Sequence, residues 1–374
     1  GTPFYQLRQL FPNVRIEAFS SNYELYGEIT GRVMTIIRDM APQCFRYSID
    51  EAFAILDGFS VEQLKEWGEE LHRRVLQSVG MPLTIGIAPT KTLAKMASHF
   101  AKKYAGYNHC CVIDTDDRRL KAAALYPIGE VWGIGRRYAA RLESYGIRTA
   151  YDFAAHSHSW VRATFKTVVV ERAWAELNGT DCVPDDLPAK KKSICTSRSF
   201  GGMVCDFDTL RTHVANFAAR CAEKLRKQQS AASIVGVFVE SNRFRPDLTQ
   251  YCNMTEVSLP TPSSSTIEVV KAATACLRRI YREDIHYKRA GVVLMGVVPN
   301  AAVQTDIFTF DAEKYQHMMQ LDSAVDRINK VDGTETVILS SQQYPNGRKF
   351  ADAIKHDLKS ACPTTRWSDI IKLK

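Results

Sequence analysis

The sequence lacks several patterns that would place it in common classes of protein. None of its ten cysteines forms a C-x-x-C pair, which argues against a structural zinc site. No apolar run approaches the roughly 18 residues of a membrane-spanning helix, and the first residues lack the charged and apolar regions of a signal peptide. We therefore expect no membrane association and a location in the cytoplasm, where cysteines stay reduced.

Acidic residues are also outnumbered by basic ones. The chain has 49 Lys and Arg against 41 Asp and Glu, for a formal net charge of +8. This excess fits a polyanionic partner such as nucleic acid, although many unrelated enzymes are equally basic. The 374 residues, with a hydrophobic fraction of 45%, are enough for about two to four ordinary globular domains.

The most informative stretch runs from Phe45 to Asp57. Apolar residues alternate on both sides of Asp50 and Glu51, which predicts a strand hairpin with two carboxylates near its turn. Adjacent acids on a sheet can hold Mg²⁺ together with substrate phosphates, as in two-metal phosphoryl transfer. The alternative is an ordinary solvated acidic turn.

A helix is predicted from Thr90 to Tyr104. Its Lys91, Lys95 and Lys102 lie within about 40° of one another at 100° per residue. Such a stripe is either a solvated face or, if it lies beside the acidic hairpin, a group of cations that neutralises a triphosphate.

Glycines and arginines mark a second candidate site. Gly133, Gly135, Arg136 and Arg137 predict a helix, a tight Gly-x-Gly hairpin and a second helix. Backbone N–H groups at a helix start bind phosphate readily. The pattern is typical of a helix-hairpin-helix that clamps a DNA backbone, or else of a helix-loop-helix without a ligand.

A second αβ region follows an exposed linker. Residues 184–192 contain two prolines and end with Lys190, Lys191 and Lys192, which are either merely solvated or a basic tether beside DNA. The next strand carries Arg198. The predicted element order, β-α-β-β-α-β, indicates a ferredoxin-like module.

A short extended segment follows the last predicted strand. It places Gln304 before Ile307 and Phe308. A Gln followed by apolar and aromatic residues suits a peptide that docks in a groove, although chance matches to this pattern are common.

These motifs stand in the order and spacing of the Y-family translesion DNA polymerases, which the chain resembles from end to end. The motifs that carry this resemblance are Tyr47-Ser48-Ile49-Asp50-Glu51-Ala52-Phe53, Gly86-Ile87-Ala88-Pro89-Thr90-Lys91-Thr92-Leu93-Ala94-Lys95, Ala101-Lys102-Lys103 and Val131-Trp132-Gly133-Ile134-Gly135. The long C-terminal region, with Thr364-Thr365-Arg366-Trp367-Ser368-Asp369, is similar to the UmuC type rather than to the shorter DinB type.

The resemblance implies an α+β multidomain fold, the right hand of these polymerases. Residues 1–16 would be a remnant of the fingers, 17–117 an incomplete palm and 118–183 a helix-hairpin-helix thumb. Residues 184–192 would be a linker, 193–300 a ferredoxin-like little finger, and 301–374 a clamp-binding peptide with a C-terminal extension.

The resemblance also implies roles for single residues. Asp50 and Glu51 match catalytic acids that bind the two Mg²⁺ ions, and Lys102 matches a lysine that contacts the incoming nucleotide. Gln304, Ile307 and Phe308 match the anchors of a sliding-clamp-binding peptide.

The implied activity is error-prone, template-directed DNA synthesis past damaged bases, as in SOS-type DNA repair. The implied partners are primer-template DNA, deoxynucleoside triphosphates, a sliding clamp, UmuD-like accessory subunits and a RecA-type recombinase.

One departure from the family is large. Members open with a strand of the type Asp-x-Asn-x-Phe-Tyr, which supplies another metal-binding carboxylate and an aromatic gate against ribonucleotides. This chain begins at Gly1-Thr2-Pro3, without a methionine or that strand. We expect a truncated polymerase that is inactive, or nearly so, when these 374 residues are taken alone.

Two other classes of function stay open at this point. A non-catalytic protein or remnant that binds damaged DNA would need only the helix-hairpin-helix and the basic αβ module. A metal-dependent nucleotide cyclase or nucleotidyltransferase would use the acidic hairpin but would not need the other two features.

Overall fold

The computed structural model describes residues 2, 4–185, 190–303, 311–333, 335–343 and 358–370. The chain divides into two units. Unit 1 comprises Gly1–Leu187 with His356–Lys374, and unit 2 comprises Pro188–Lys355. The described residues 358–370 thus belong to unit 1.

Unit 1 begins with alternating helices and strands and continues with helices. The first group is α1 (Phe4–Leu10), α2 (Tyr23–Met40), β1 (Gln43–Arg46), β2 (Ala52–Ile55), α3 (Val61–Val79), β3 (Ile85–Ile87), α4 (Lys91–Lys103) and β4 (Cys110–Val112). The second group is α5 (Asp116–Leu125), α6 (Arg136–Ser144), α7 (Ala150–Ala154), α8 (His158–Phe165) and α9 (Val168–Leu177).

The strands of unit 1 form two separate small sheets in the described part of the chain. Strands β1 and β2 pair antiparallel, from Gln43 opposite Ile55 to Arg46 opposite Ala52. This confirms the hairpin predicted from the period-two alternation. Strands β3 and β4 pair parallel, and α4 connects them.

Side-chain caps explain where the two long helices begin. The Asn22 side chain accepts a hydrogen bond from the Leu25 backbone N–H at the start of α2. Ser60 and Gln63 form a reciprocal capping box at the start of α3. Both caps satisfy N–H groups that the first turn of a helix leaves without partners.

Two hydrophobic clusters hold unit 1 together. One lies between α2, α3 and the strands, and includes Met34, Leu71 and Val75. The other joins Leu93 and Met96 of α4 to buried residues of α5–α9. Helix α4 therefore shares one core with the region predicted to be the thumb.

Unit 2 contains the six elements predicted for the second αβ region, and a further helix. They are β5 (Ile194–Val204), α10 (Phe207–Lys227), β6 (Ser230–Ser241), β7 (Cys252–Ser263), α11 (Thr266–Ile280), β8 (Tyr287–Pro299) and α12 (Ala312–Val331).

The sheet of unit 2 differs from a ferredoxin-like sheet in its strand order. The order β-α-β-β-α-β is present, but the antiparallel sheet runs β5-β8-β6-β7, so the second and fourth strands of the module are central. A ferredoxin-like sheet has its first and third strands at the centre. The order of elements along the chain does not distinguish the two arrangements. In both of them, the two strands that a helix connects are separated in the sheet by one other strand, so the same helices fit either arrangement.

Helix α12 is joined to α10 by a mostly buried cation. The guanidinium of Arg226, on α10, lies 2.7 Å from a carboxylate oxygen of Asp326 and 3.4 Å from one of Asp322. Arg226 also donates a hydrogen bond to the backbone carbonyl of Ser264. None of the described helices is long and apolar enough to cross a membrane.

Candidate active site

Asp50 and Glu51 lie in the turn between β1 and β2, and both are exposed. The backbone carbonyl of Glu51 accepts hydrogen bonds from the N–H groups of Tyr47 and Ser48. The hydroxyl of Ser48 donates to a carboxylate oxygen of Asp50 at 2.7 Å. The turn is therefore held by its own backbone, and both carboxylates remain accessible.

A single ammonium group organises the side chains around Glu51. The Nζ atom of Lys95 lies 2.7 Å from a Glu51 carboxylate oxygen. It also lies 4.8, 5.8 and 5.4 Å from the ring centroids of Tyr47, Phe53 and Trp132, within the distance at which a cation is attracted to an aromatic face. The indole N–H of Trp132 donates to the Tyr47 hydroxyl at 3.2 Å. Lys95 thus connects the acidic turn to the residue that precedes Gly133.

Beside the acidic turn, unit 1 has an open groove of about 640 Å³. Strand β2 lies along it through Ala52–Ile55, and β3 lies along it through Ile85–Ile87. Its apolar lining includes Val33, Met34 and Ile37 of α2, together with residues of α3 and of the strands. Asp50 and Glu51 also line it.

The two strands along the groove each have one free edge in the described part of the chain. Strand β2 pairs with β1 and strand β3 pairs with β4, and neither pairs with the other. Unpaired strand edges carry N–H and C=O groups that are ready to pair with another strand. The apolar residues of β2 are only half-buried, so the rest of the described part of unit 1 does not cover them completely.

The three lysines of α4 do not form one equivalent stripe. Lys91 is mostly buried and pairs with Asp185 at 2.8 Å and Asp181 at 3.4 Å. Burial opposes its charge, but these two carboxylates outweigh burial and raise the pKa of Lys91. Lys95 is paired with Glu51, whereas Lys102 is exposed and makes no ion pair among the described residues. Of the three, Lys102 is the one left available for an anionic ligand.

Glu176 of α9 fixes the start of α4. Its carboxylate is fully buried and accepts hydrogen bonds from the backbone N–H groups of Thr92, Cys182 and Val183 at 2.8, 3.1 and 3.2 Å. Its backbone carbonyl accepts from the Thr90 hydroxyl. A carboxylate at a helix N-terminus is favourable, and here it orients the helix that carries Lys95 and Lys102. Sequence reasoning missed Glu176, because its partners are distant in the chain.

The Gly-x-Gly turn leads directly into the start of α6. Gly133 has a φ of +91°, which favours glycine. Gly135 is the N-cap of α6 and supplies no side-chain cap, so the first N–H groups of α6 are open to a ligand. Arg136 and Arg137 follow and are both exposed.

The remaining sequence-predicted residues lie in unit 2 or outside the described residues. Lys190, Lys191 and Lys192 are exposed at the start of unit 2, and Arg198 is half-buried on β5. Gln304, Ile307 and Phe308 lie outside the described residues.

The side chains present do not complete a site for two Mg²⁺ ions. No three His, Cys, Asp or Glu residues cluster as metal ligands in the described part of the chain. Glu51 is already paired with an ammonium group. The other carboxylates of the groove are Asp57, Asp114, Asp181 and Asp185. The last three each pair with a basic side chain, and Asp57 is exposed but forms no group of three metal-ligand residues with the acidic turn in the described part of the chain. Asp50 and Glu51 would thus supply two oxygen-donor residues to such a site, and no third ligand residue clusters with them in the described part of the chain.

Three family models match the chain. The impB/mucB/samB family model matches residues 1–99, and the model of that family's C-terminal domain matches 191–307. A domain of unknown function, DUF4113, matches 319–373.

Several named proteins are similar over almost the whole chain. Protein UmuC of Salmonella typhimurium is 35% identical over 378 residues, which cover 100% of this chain and 88% of UmuC. Protein ImpB of Salmonella typhimurium is 33% identical, over 99% of this chain and 87% of ImpB. DNA polymerase IV of Desulfatibacillum aliphaticivorans is 27% identical, over 89% of this chain and 80% of that polymerase.

A solved structure supports the same assignment at the level of the fold. A Y-family DNA polymerase chimera matches with a TM-score of 0.58 and 19% identity, over 80% of this chain and 83% of the chimera. The sequence motifs, the family models and the full-length relatives agree. The chain belongs to the impB/mucB/samB family, the UmuC-like Y-family DNA polymerases.

Proposed function

We propose that this chain is the polymerase part of an error-prone enzyme that synthesises DNA past damaged bases. The proteins similar to this chain include DNA polymerases. The finer proposal is that catalysis takes place at the acidic turn, and that the 374 residues alone have little or no activity.

The observation that carries this proposal is the groove between β2 and β3. Both strands line it, each has one edge without a strand partner among the described residues, the two carboxylates of the acidic turn also line it, and much of its lining is apolar. A strand of the type Asp-x-Asn-x-Phe-Tyr would pair its backbone with these edges. Its alternate side chains would then meet the apolar lining of the groove and the acidic turn. Such a strand would bring the oxygen-donor residue that Asp50 and Glu51 lack.

We assign the other site residues as follows. Lys102 offsets charge on the triphosphate of the incoming nucleotide. The N–H groups at the start of α6, with Arg136 and Arg137, bind phosphates of the primer-template backbone without reading its sequence. Lys190, Lys191, Lys192 and Arg198 supply further backbone contacts from unit 2.

Partners and location are part of the proposal as well. Docking of a sliding clamp on Gln304, Ile307 and Phe308, the UmuD-like and RecA-type partners, and a cytoplasmic location follow from the family resemblance. Mg²⁺ is the expected metal, because carboxylates and substrate phosphates are its usual ligands.

The test compares primer extension by two proteins and by one control variant. One is this chain. The other is a strand-bearing fusion, in which the opening strand and following residues of a full-length family member precede Gly1. A third protein, the fusion with Asp50→Asn, is the control. We expect extension by the fusion only, with a loss of at least about 100-fold in the Asp50→Asn control, as for removal of a main electrostatic group in an active site.

Two results would contradict parts of this proposal. Template-directed extension by the 374 residues alone would show that the present carboxylates suffice. Inactivity of the fusion, with DNA binding intact and the accessory subunits supplied, would favour a non-catalytic protein that binds damaged DNA.

A further inference from the structure

The C-terminal segment Leu358–Ile370 lies on the start of α2, far from it in sequence. Ser20 and Lys359 form an isolated parallel bridge, and the Ser20 N–H donates to the Leu358 carbonyl at 3.0 Å. The chain after α12 therefore returns to unit 1 and runs beside the residues that precede α2.

A buried asparagine joins the two segments. Asn22 is fully buried, and its side-chain amide donates to the Ser360 carbonyl at 3.0 Å and to the Cys362 sulfur at 3.0 Å. Its oxygen accepts from the Leu25 N–H. One side chain thus caps α2 and holds the segment, with Cys362 buried beside it.

Charged groups flank this contact. Glu24, in the first turn of α2, pairs with Lys359 at 3.1 Å and with Arg366 at 3.0 Å. The hydrogen bond from Lys359, together with the charge of Arg366, lowers the pKa of Glu24. A hydrogen bond within the segment also stabilises it, because Asp369 accepts from the Cys362 N–H at 2.9 Å.

The contact between residues 358–370 and α2 is mostly polar and buries little apolar surface. Among residues 358–370 only Cys362 is buried, and Trp367 is 90% exposed. A segment with few buried apolar contacts opens at a much lower free energy than the whole unit. Its exposed ion pairs make the opening sensitive to salt.

We propose that residues 358–370 form a releasable latch on α2. The latch holds the first turn of the helix whose Val33, Met34 and Ile37 line the groove. This gives a structural role to the last described part of the region that matches the domain of unknown function. The contacts that form the latch are the same whether or not the chain has polymerase activity.

The thiol of Cys362 reports latch opening directly. The experiment measures the rate at which a maleimide labels Cys362, by mass spectrometry, with the fully buried Cys110 of unit 1 as the internal control. In the parent chain we expect slow labelling that becomes faster as salt rises. In Glu24→Arg, which repels both Lys359 and Arg366, we expect labelling at least tenfold faster at Cys362 and unchanged at Cys110.

Matched variants separate the latch from a general loss of stability. Arg366→Glu weakens the same contact from the latch side and changes no residue of α2, so it should also speed labelling at Cys362. Trp367→Ala removes an exposed side chain of the same segment and should change nothing. Combining Glu24→Lys with Lys359→Glu and Arg366→Glu should restore slow labelling.

Three outcomes would overturn the proposal. They are fast labelling of Cys362 in the parent chain, no effect of Glu24→Arg and Arg366→Glu, and equal acceleration at Cys110.

Discussion

Replacing Glu176 by alanine should lower the free energy of unfolding of unit 1 by roughly 3–5 kcal/mol. The change leaves three backbone N–H groups, the buried one of Thr92 and the partly buried ones of Cys182 and Val183, without the carboxylate that accepts from them. A buried donor left without a partner costs its full desolvation penalty, about 1–3 kcal/mol. The loss is large because the three donors share one acceptor side chain.

The measurement is urea unfolding followed by tryptophan fluorescence. All the tryptophans of the sequence lie in unit 1, so the signal reports that unit: Trp67, Trp132, Trp160, Trp174 and Trp367. Glu143→Ala, which removes an exposed carboxylate from α6, is the matched control and should change stability by less than about 0.5 kcal/mol. Glu176→Gln should fall between the two, because an amide has one acceptor oxygen where the carboxylate uses two. Equal stabilities of Glu176→Ala and Glu143→Ala would contradict this account of α4.

Replacing Gly86 by alanine should destabilise unit 1 by about 3 kcal/mol or more. Gly86 lies in β3 directly under α4, where a Cβ atom would overlap with the backbone of Ala94 and Ser98. Backbone atoms of a packed helix have no rotamer by which to move aside, so α4 would have to shift away from the sheet. Lys95 would move with it and lose its position beside Glu51.

Another glycine gives a control of opposite sign. Gly27 lies in α2, and a Cβ atom there would meet nothing within 4 Å. Gly27→Ala should therefore leave stability unchanged or raise it by up to about 1 kcal/mol, because alanine favours the helix. The same fluorescence measurement applies to both variants. A Gly86→Ala protein as stable as Gly27→Ala would show that α4 does not pack on β3 as described.

Local patterns in the sequence predicted the local structure well. The alternation around Asp50 and Glu51 predicted the hairpin, and the sequence of the second αβ region predicted its element order, β-α-β-β-α-β. Such features depend on neighbours in the chain, so they can be inferred from the sequence alone.

Features that depend on distant contacts were missed or only partly predicted. The lysines of α4 look equivalent along the helix, yet Lys91 has carboxylate partners about 90 residues away. The packing of Lys95 against Trp132 has no local signal. The strand order of unit 2 was not accessible either, because two sheet arrangements share one order of elements. The roles of the family's site residues came from the resemblance and stay proposals.

The most direct test of the central claim is metal binding at the acidic turn. Mn²⁺ prefers the same oxygen ligands as Mg²⁺, and its electron paramagnetic resonance signal shows how much of it is bound. We predict that this chain shows no saturable site that depends on Asp50, whereas the strand-bearing fusion shows one that Asp50→Asn abolishes. A saturable, Asp50-dependent site of the same affinity in the 374 residues alone would contradict the account, because Asp50 and Glu51 would then need no strand in the groove.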